Sequence, residues 1–474
     1  MVSPTQHPPS GIKVIIVGAG FGGITAAIEC HNKGHDVLLL EAFPELKILG
    51  DVISLGPNAG RIIERWGGGS VARELHPITH NNKELVMHRF DGPVVTRTPV
   101  TGLVFGSPAF NGHRGELHRC FFAFAQQQGI KIRLGARVVE YFEDADKAGV
   151  VLENGERLEA DVVVGADGVK SQARALVLGY DDKPRSSGYA IWRTWFTTEE
   201  LAKDPLTKFF SEGDTHNGWI GPDVHFLAAT LKNGRDVSWV CTHTDEKDIE
   251  ESYSFPGKIE DVLKVVGDWD PVVVKLVKMT PEENMVDWKL VYRDPLPTWI
   301  SKGARICILG DAAHPFLPTS IQGASQAMED GVVLACTLFC AGKSRVPLGV
   351  RAYERIRYER CRRAQLMGET VRDKWHKADF DNLMSSEDNM RAMDLPHPPW
   401  LFWHDAEKHA LDVFPQVAKD IEAGKFGTED IGLQTGVLRR DENGTVVVGN
   451  RDFEQPTGEE LVQGLVKEQL TAEL

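Results

Sequence analysis

The sequence predicts an α/β chain: a parallel sheet flanked by helices, a second β-sheet domain inserted into it, and a helical C-terminal region. Three observations predict it. Four apolar, strand-like runs (residues 14–17, 36–40, 160–165 and 305–309) alternate with helical patterns and end at glycine or an acid. Residues 187–243 change texture to short strand candidates rich in tryptophan (Trp192, Trp195, Trp219, Trp239). From residue 322 onward long helical patterns take over.

The first run, 14–17, reads as a buried parallel strand. Gly18, Gly20 and Gly23 follow at the spacing G-x-G-x-x-G, and an apolar helical pattern covers 24–30. The first glycine permits a tight turn, the second lets backbone approach a pyrophosphate, and the third lets the helix pack closely on the strand. The helix start then offers free N–H groups and a dipole to the phosphates. The next strand, 36–40, ends at Glu41, where this fingerprint expects a partner for a ribose hydroxyl. Strand, glycines, helix, strand and acid in this order read as a Rossmann-like unit for an ADP-containing dinucleotide.

Residues 43–49 read as a loop and 59–66 as a helix ended by the glycines at 67–69. Asp91-Gly92 marks a hairpin within 85–95. A helix opens at Arg114 and stops at Gly129. Short strands at 131–134, 138–142 and 149–153 lead to an Asn154-Gly155 turn and a return strand at 156–159. Strands are expected at 189–196, 218–220, 225–230 and 237–243, and helices at 259–266 and 271–278. A long helix starts at Gln322, and a strongly charged one covers 353 to about 377. The remainder is polar, proline-containing and weakly patterned.

With 474 residues, two or three domains are expected. The formal charge of −15 argues against a nucleic-acid partner, which needs a basic surface. The seven cysteines are scattered, odd in number and mostly in apolar runs, which reads as reduced core residues. No metal-ligand spacing and no hydrolase triad signature stands in the chain. The N-terminus lacks a basic region followed by an apolar stretch, and the longest apolar run, 332–341, is about half of what a bilayer needs. A cytoplasmic protein without a transmembrane segment is expected.

Three nucleotide-type motifs stand in order: Gly18–Gly23 with Glu41; Gly165-Ala166-Asp167-Gly168; and Gly310-Asp311-Ala312-Ala313-His314-Pro315, followed by Gln322-Gly323-Ala324. With these motifs at these separations, residues 14–360 resemble the single-component FAD-dependent aromatic monooxygenases, a family that includes the 4-hydroxybenzoate and salicylate hydroxylases. The resemblance implies a discontinuous FAD domain (11–80, 100–186 and 296–345), a substrate-binding β-sheet domain (81–99 and 187–295) and a C-terminal helical region and tail (346–474). It implies that Gly18, Gly20, Gly23, Glu41, Arg114, Asp167, Gly168, Gly310, Asp311, Gly323 and Ala324 hold FAD. Arg114 alone reads equally well as a solvated surface charge. NAD(P)H is implied as a transient co-substrate, because a second nucleotide-binding glycine motif is missing, and O2 as the oxidant, acting through a C4a-hydroperoxyflavin.

Two departures from the family stand out. Ile321 in Ser320-Ile321-Gln322-Gly323 occupies a place where many members carry glycine, which leaves less backbone freedom. Asp51 stands where many members carry a small neutral residue beside the flavin ring, so it is either a functional carboxylate or a loop aspartate facing solvent. Arg193 lies in an aromatic, strand-like run. If Ile191, Arg193 and Trp195 share a face, Trp192 opposes them. Arg193, paired with Asp51, is the candidate catalytic residue; the bland alternative is a strand arginine on the outer face. His314 reads as a flavin-side structural residue rather than a base. The Gly-Asp and Ile-Trp-Arg stretches resemble the fungal branch acting on indole alkaloids, by epoxidation or hydroxylation of an indole and a semipinacol shift to a spiro-oxindole. Phenol or salicylate hydroxylation is the alternative, followed by a non-oxygenating flavin reductase and a non-catalytic binding protein.

Overall fold

The computed structural model describes residues 7–45, 51–81, 84–99, 105–245, 255–396, 398–426 and 429–449. Most of the expected 43–49 loop, with Leu49 and Gly50, and the tail beyond residue 449 lie outside them. In chain order the first half holds β1 (Lys13–Val17), α1 (Phe21–Asn32), β2 (Asp36–Leu40), β3 (Val52–Leu55), α2 (Pro57–Arg65) and α3 (Ser70–Leu75). Next come β4 (Glu84–Arg89), β5 (Val94–Pro99), β6 (Phe110–His113), α4 (Arg114–Gln127), β7 (Lys131–Arg133) and β8 (Val138–Glu143). Then follow β9 (Ala148–Leu152), β10 (Arg157–Ala160), β11 (Val162–Gly165), α5 (Gln172–Leu178), β12 (Arg185–Thr197), β13 (His216–Gly221), β14 (Val224–Leu231) and β15 (Asp236–Thr244). The last part holds α6 (Ile259–Val266), α7 (Pro271–Lys278), β16 (Val286–Tyr292), β17 (Ile306–Ile308), α8 (Gly323–Ala341), α9 (Val346–His376), α10 (Glu387–Arg391), α11 (Pro399–Phe402), α12 (Ala406–Glu422), α13 (Ile431–Gln434), β18 (Leu438–Arg440) and β19 (Val446–Val448).

The central sheet is parallel, in the order β17-β11-β1-β2-β7. Its strands are apolar because both faces are covered. The chain leaves β1 toward β2 on one side and reaches β11 on the other, so the carboxyl end of β1 is a topological switch point, where such sheets bind ligands. The glycine motif sits there. Helix α1 packs against α8, and Gly331 makes that approach possible: a Cβ there would lie 2.6 Å from the Ala26 nitrogen. Helix α8 is buried nearly all round, between α1, α2, α9 and α12. No single described helix is long and apolar enough to cross a membrane.

The second sheet has seven strands, in the order β16-β12-β15-β14-β13-β4-β5, antiparallel except for β13 with β4. One face is covered by α6 and α7, whose Val262, Val266, Val273 and Leu276 pack on Trp192, Trp219, Phe226 and Trp239. The other face turns toward the central domain. The charged pattern expected from 353 begins earlier, at Val346, and α9 is not a solvated helix: Tyr353, Glu354, Arg357 and Tyr358 are buried. The described part of the weakly patterned C-terminal region, up to residue 449, is structured as well. Helix α12 braces α8, and its Glu407 bridges Lys33 and Arg65.

Candidate active site

A cavity of about 420 Å³ lies between the switch point and the open face of the second sheet. On one side its wall is the glycine loop. Gly18 has φ +105°, and a Cβ there would strike the Ala166 backbone. A Cβ on Gly23 would collide with the Gly18 carbonyl. A Cβ on Gly20 meets no atom of the described residues within 4 Å and would project toward the cavity. These are the three roles the spacing assigns: turn, close packing, and a bare backbone facing a ligand. Glu41 ends β2, and its carboxylate accepts from the backbone N–H groups of Ala19 and Phe43 at 2.9 Å. It therefore ties the loop to the edge of the cleft.

Two helix N-termini face the same cavity. Helix α1 starts at Phe21 with neither a capping side chain nor an acid in its first turn. Helix α8 starts at Gly323-Ala324, again without a side-chain cap or an acid. Both ends leave N–H groups and a positive dipole end for an anionic ligand. Arg114 opens α4 and lines the same wall. Asp311 projects into the cavity from the turn after β17. Burial raises its pKa, and the Arg114, His314 and Arg174 charges oppose that rise. Gly168 lines the cavity, whereas the Asp167 side chain points beside it: its carboxylate accepts from Tyr141 at 2.9 Å and from the Gln172 backbone at 3.0 Å, capping α5. The wall thus offers a bare glycine backbone, two uncapped helix ends, a cation and a carboxylate, which is the donor set that a dinucleotide pyrophosphate and its polyol arm require.

Opposite this wall, Ile191 and Arg193 on β12 face the cavity while Trp192 faces α6 and α7. An Arg193 Nη lies 3.1 Å from an Asp51 carboxylate oxygen, and the guanidinium lies 4.9 Å from the Trp288 ring centre. Both charged side chains are largely buried, at 9% and 17% exposure.

Comparison with known proteins agrees with this geometry. A family model described as an FAD binding domain matches residues 11–366. The chain belongs to this FAD-binding family of flavoprotein monooxygenases. It is 38% identical over 434 residues to the asperlicin C monooxygenase of Petromyces alliaceus, covering 89% of this chain and 93% of that one. It is 34% identical to the FAD-dependent monooxygenase nanF of Aspergillus nanangensis, covering 90% and 93%. Among solved structures, CtdE in complex with FAD and substrate is similar with a TM-score of 0.81 at 35% identity, covering 87% of this chain and all of that one. FqzB is similar with a TM-score of 0.80 at 37% identity, covering 91% and 98%. The enzyme is thus an FAD-dependent oxidoreductase that uses NAD(P)H and O2.

The structure adds residues to this monooxygenase's cavity that the sequence did not single out. Trp288 on β16 and Trp375 near the end of α9 line it, as do His80, His216 and His225. Of the four tryptophans that drew notice in the sequence, Trp239 alone borders the cavity. Trp192, Trp219 and Trp239 are in the core under α6 and α7, and Trp195 lies against His113. His314 is buried outside the lining, as expected of a structural residue; its Nε2 lies 2.6 Å from Asp330. Burial opposes its charge, but Cys361 and Asp330 outweigh that and hold the imidazolium well above the usual histidine range. Asp330 also accepts from Arg357 at 2.8 Å, and Glu329 accepts from Arg357 and Arg360. This charged cluster underlies the first turns of α8. Its one sequence signal was a pair of acids, Glu329-Asp330, inside an otherwise apolar helix, which demands buried cations as partners. The Ile321 departure is resolved too: Ile321 has φ +54°, a conformation that glycine adopts freely and a β-branched residue does not.

Proposed function

We propose that this monooxygenase oxygenates the ring of a neutral aromatic small molecule, namely the indole of a fungal alkaloid, by epoxidation or hydroxylation. The observation that carries this reading is the Arg193–Asp51 pair. Among the described residues lining the sheet side of the cavity, Arg193 is the one strong cation, and Asp51 neutralises it. A substrate carboxylate would enter without a counter-ion, which disfavours a salicylate-like acid. The kinship with the asperlicin C monooxygenase, CtdE and FqzB supports a fungal secondary metabolite as substrate.

Bound FAD supplies the two-electron chemistry that couples NAD(P)H to O2 and transfers one oxygen atom. The balance is substrate, O2, NAD(P)H and a proton giving oxygenated product, water and NAD(P)+. In this reading Gly18, Gly20 and Gly23 seat the pyrophosphate, Glu41 the ribose, and Arg114 the phosphate region. Gly310-Asp311 would hold the ribityl arm, and Gly323-Ala324 would present the α8 N-terminus to the flavin. Gly168 borders the cofactor, and Asp167 acts through the α5 cap. Residues 11–80, 100–186 and 296–345 then form the FAD domain, with 81–99 and 187–295 as the substrate domain. Asp51 fixes the Arg193 guanidinium, which donates a hydrogen bond to the oxygen newly placed on the substrate. On an indole 2,3-epoxide this draws the breaking C–O electron pair onto oxygen and permits the semipinacol shift to a spiro-oxindole.

The test is aerobic NADPH consumption across prenylated indole alkaloids, phenols and salicylates, with product masses. Stimulation by an indole alkaloid whose product gains one oxygen is expected. Stimulation by salicylate alone overturns the reading, and NADPH use without oxygen uptake moves the enzyme to the reductases.

A further inference from the structure

One corner of the cavity has polar groups that the reading above does not use. His216 opens β13 and shares a row with Ser238 on β15, Ala229 on β14 and Leu85 on β4; all four line the cavity. His80 lies edge-on to it, with ring centres 5.6 Å apart and planes at 88°.

The hydrogen-bond inventory of this corner is uneven. His80 Nε2 lies 3.1 Å from the Thr215 carbonyl oxygen. A carbonyl only accepts, so Nε2 carries the proton and Nδ1 of the neutral ring keeps a lone pair. Ser238 donates its hydroxyl proton to the Thr194 carbonyl at 2.9 Å, leaving its oxygen lone pairs. Among the described residues, neither ring nitrogen of His216 has a protein partner. Burial pushes the His216 pKa down to about 3 and lowers that of His80, so both rings stay neutral. The corner therefore presents three acceptors, His80 Nδ1, one His216 nitrogen and Ser238 Oγ, against a single N–H on His216. A neutral substrate donor is what it lacks; a carboxylate, which only accepts, matches it poorly.

We infer that His216, backed by His80 and Ser238, is a substrate-positioning residue that accepts a hydrogen bond from a ring N–H, and so fixes which edge of a neutral heteroaromatic faces the cofactor side. This rests on the neutral-substrate reading. It names a group on the substrate, the N–H, and a residue that recognises it.

Indole and 1-methylindole are the probes, titrated into the FAD-loaded enzyme while flavin absorbance is followed. The two differ only in the substituent on the ring nitrogen, hydrogen in one and methyl in the other. The wild-type enzyme is expected to bind indole at least about tenfold more tightly than 1-methylindole. His216→Phe keeps the ring's bulk and removes its nitrogens. It should reduce the preference to within about threefold while leaving flavin content and 1-methylindole affinity unchanged. His80→Phe serves as a second variant, and should weaken the preference in the same direction. Equal binding of both probes by the wild-type enzyme overturns the inference, as does a preference that survives both substitutions or binding of neither probe. If salicylate perturbs the flavin and indole does not, the neutral-substrate reading itself has failed. If indole binds but His216 does not matter, only the positioning role is lost.

Discussion

Arg193 and Asp51 should act as one unit, and a double-mutant cycle measures whether they do. At 3.1 Å and an effective dielectric of about 20, their attraction is about 5 kcal/mol before desolvation. Both side chains retain some contact with the cavity, and taking two charges out of water offsets part of the attraction. A net coupling of about 2 kcal/mol, or about 30-fold, remains. The perturbations are Arg193→Met, Asp51→Asn and the double variant, each checked for full flavin content. The assay is kcat/KM for oxygenated product, followed with NADPH. Asp51→Asn should lose about 30-fold although it removes no group that donates to substrate, because it removes the charge that orients the guanidinium. Once Arg193 is gone, the same change should cost almost nothing. Additive losses, with coupling under about 0.5 kcal/mol, would refute the pairing as a functional unit.

Four further outcomes follow from the geometry. Gly20→Val should give a folded, colourless protein, because the new side chain occupies the space left for the cofactor; the ratio of flavin to protein absorbance checks it, with affinity expected to fall at least about tenfold. Arg357→Met removes the buried cation that Glu329 and Asp330 share and should cost about 3–5 kcal/mol, read as a lowered melting temperature. Ile321→Gly relieves a left-handed conformation and should stabilise the enzyme by about 1 kcal/mol in the same assay. Acid should destabilise the fold. Burial holds His225 well below its usual range, His376 at about 4 and His216 at about 3, so the unfolded chain binds more protons. Stability then falls as pH drops below about 6.5, by about 1–2 kcal/mol per histidine at pH 5. His314, whose pKa is raised, works in the opposite sense from about pH 6 upward, so melting curves at pH 5 and 6 isolate most of the first effect.

The parts of this site built by local chain geometry were legible in the sequence. Gly18, Gly20 and Gly23 could be assigned separate roles because each answers a backbone requirement that spacing alone expresses. Alternation along β12 placed Arg193 opposite Trp192, and the resemblance to known monooxygenases suggested Asp51 as its partner. The parts built by register were not legible. His80, His216, His225 and Trp288 come from four different segments and meet only when strands pair, so no local pattern marks them. The face taken by each tryptophan was not legible for the same reason. A cluster in sequence says nothing about the face, and here three of them pack under α6 and α7. Helix α9 was legible as a charged helix, but the partners of Arg357 on α8 were not, because the two helices meet only in the folded chain.

The strand order of the central sheet also sets the timetable on which this enzyme becomes active. β1 emerges first, yet its neighbour β11 is over 140 residues later, and β17 and the start of α8 come only after residue 300. At translation rates of about 5–20 residues per second, the glycine loop exists for roughly 15–65 s before the last wall of its cleft has been synthesised. Nascent chains cut short anywhere in that interval carry the nucleotide fingerprint but cannot close the cleft around a flavin. Yellow colour in this protein therefore reports that synthesis has passed α8, and co-translational cofactor capture is confined to the final third of the chain.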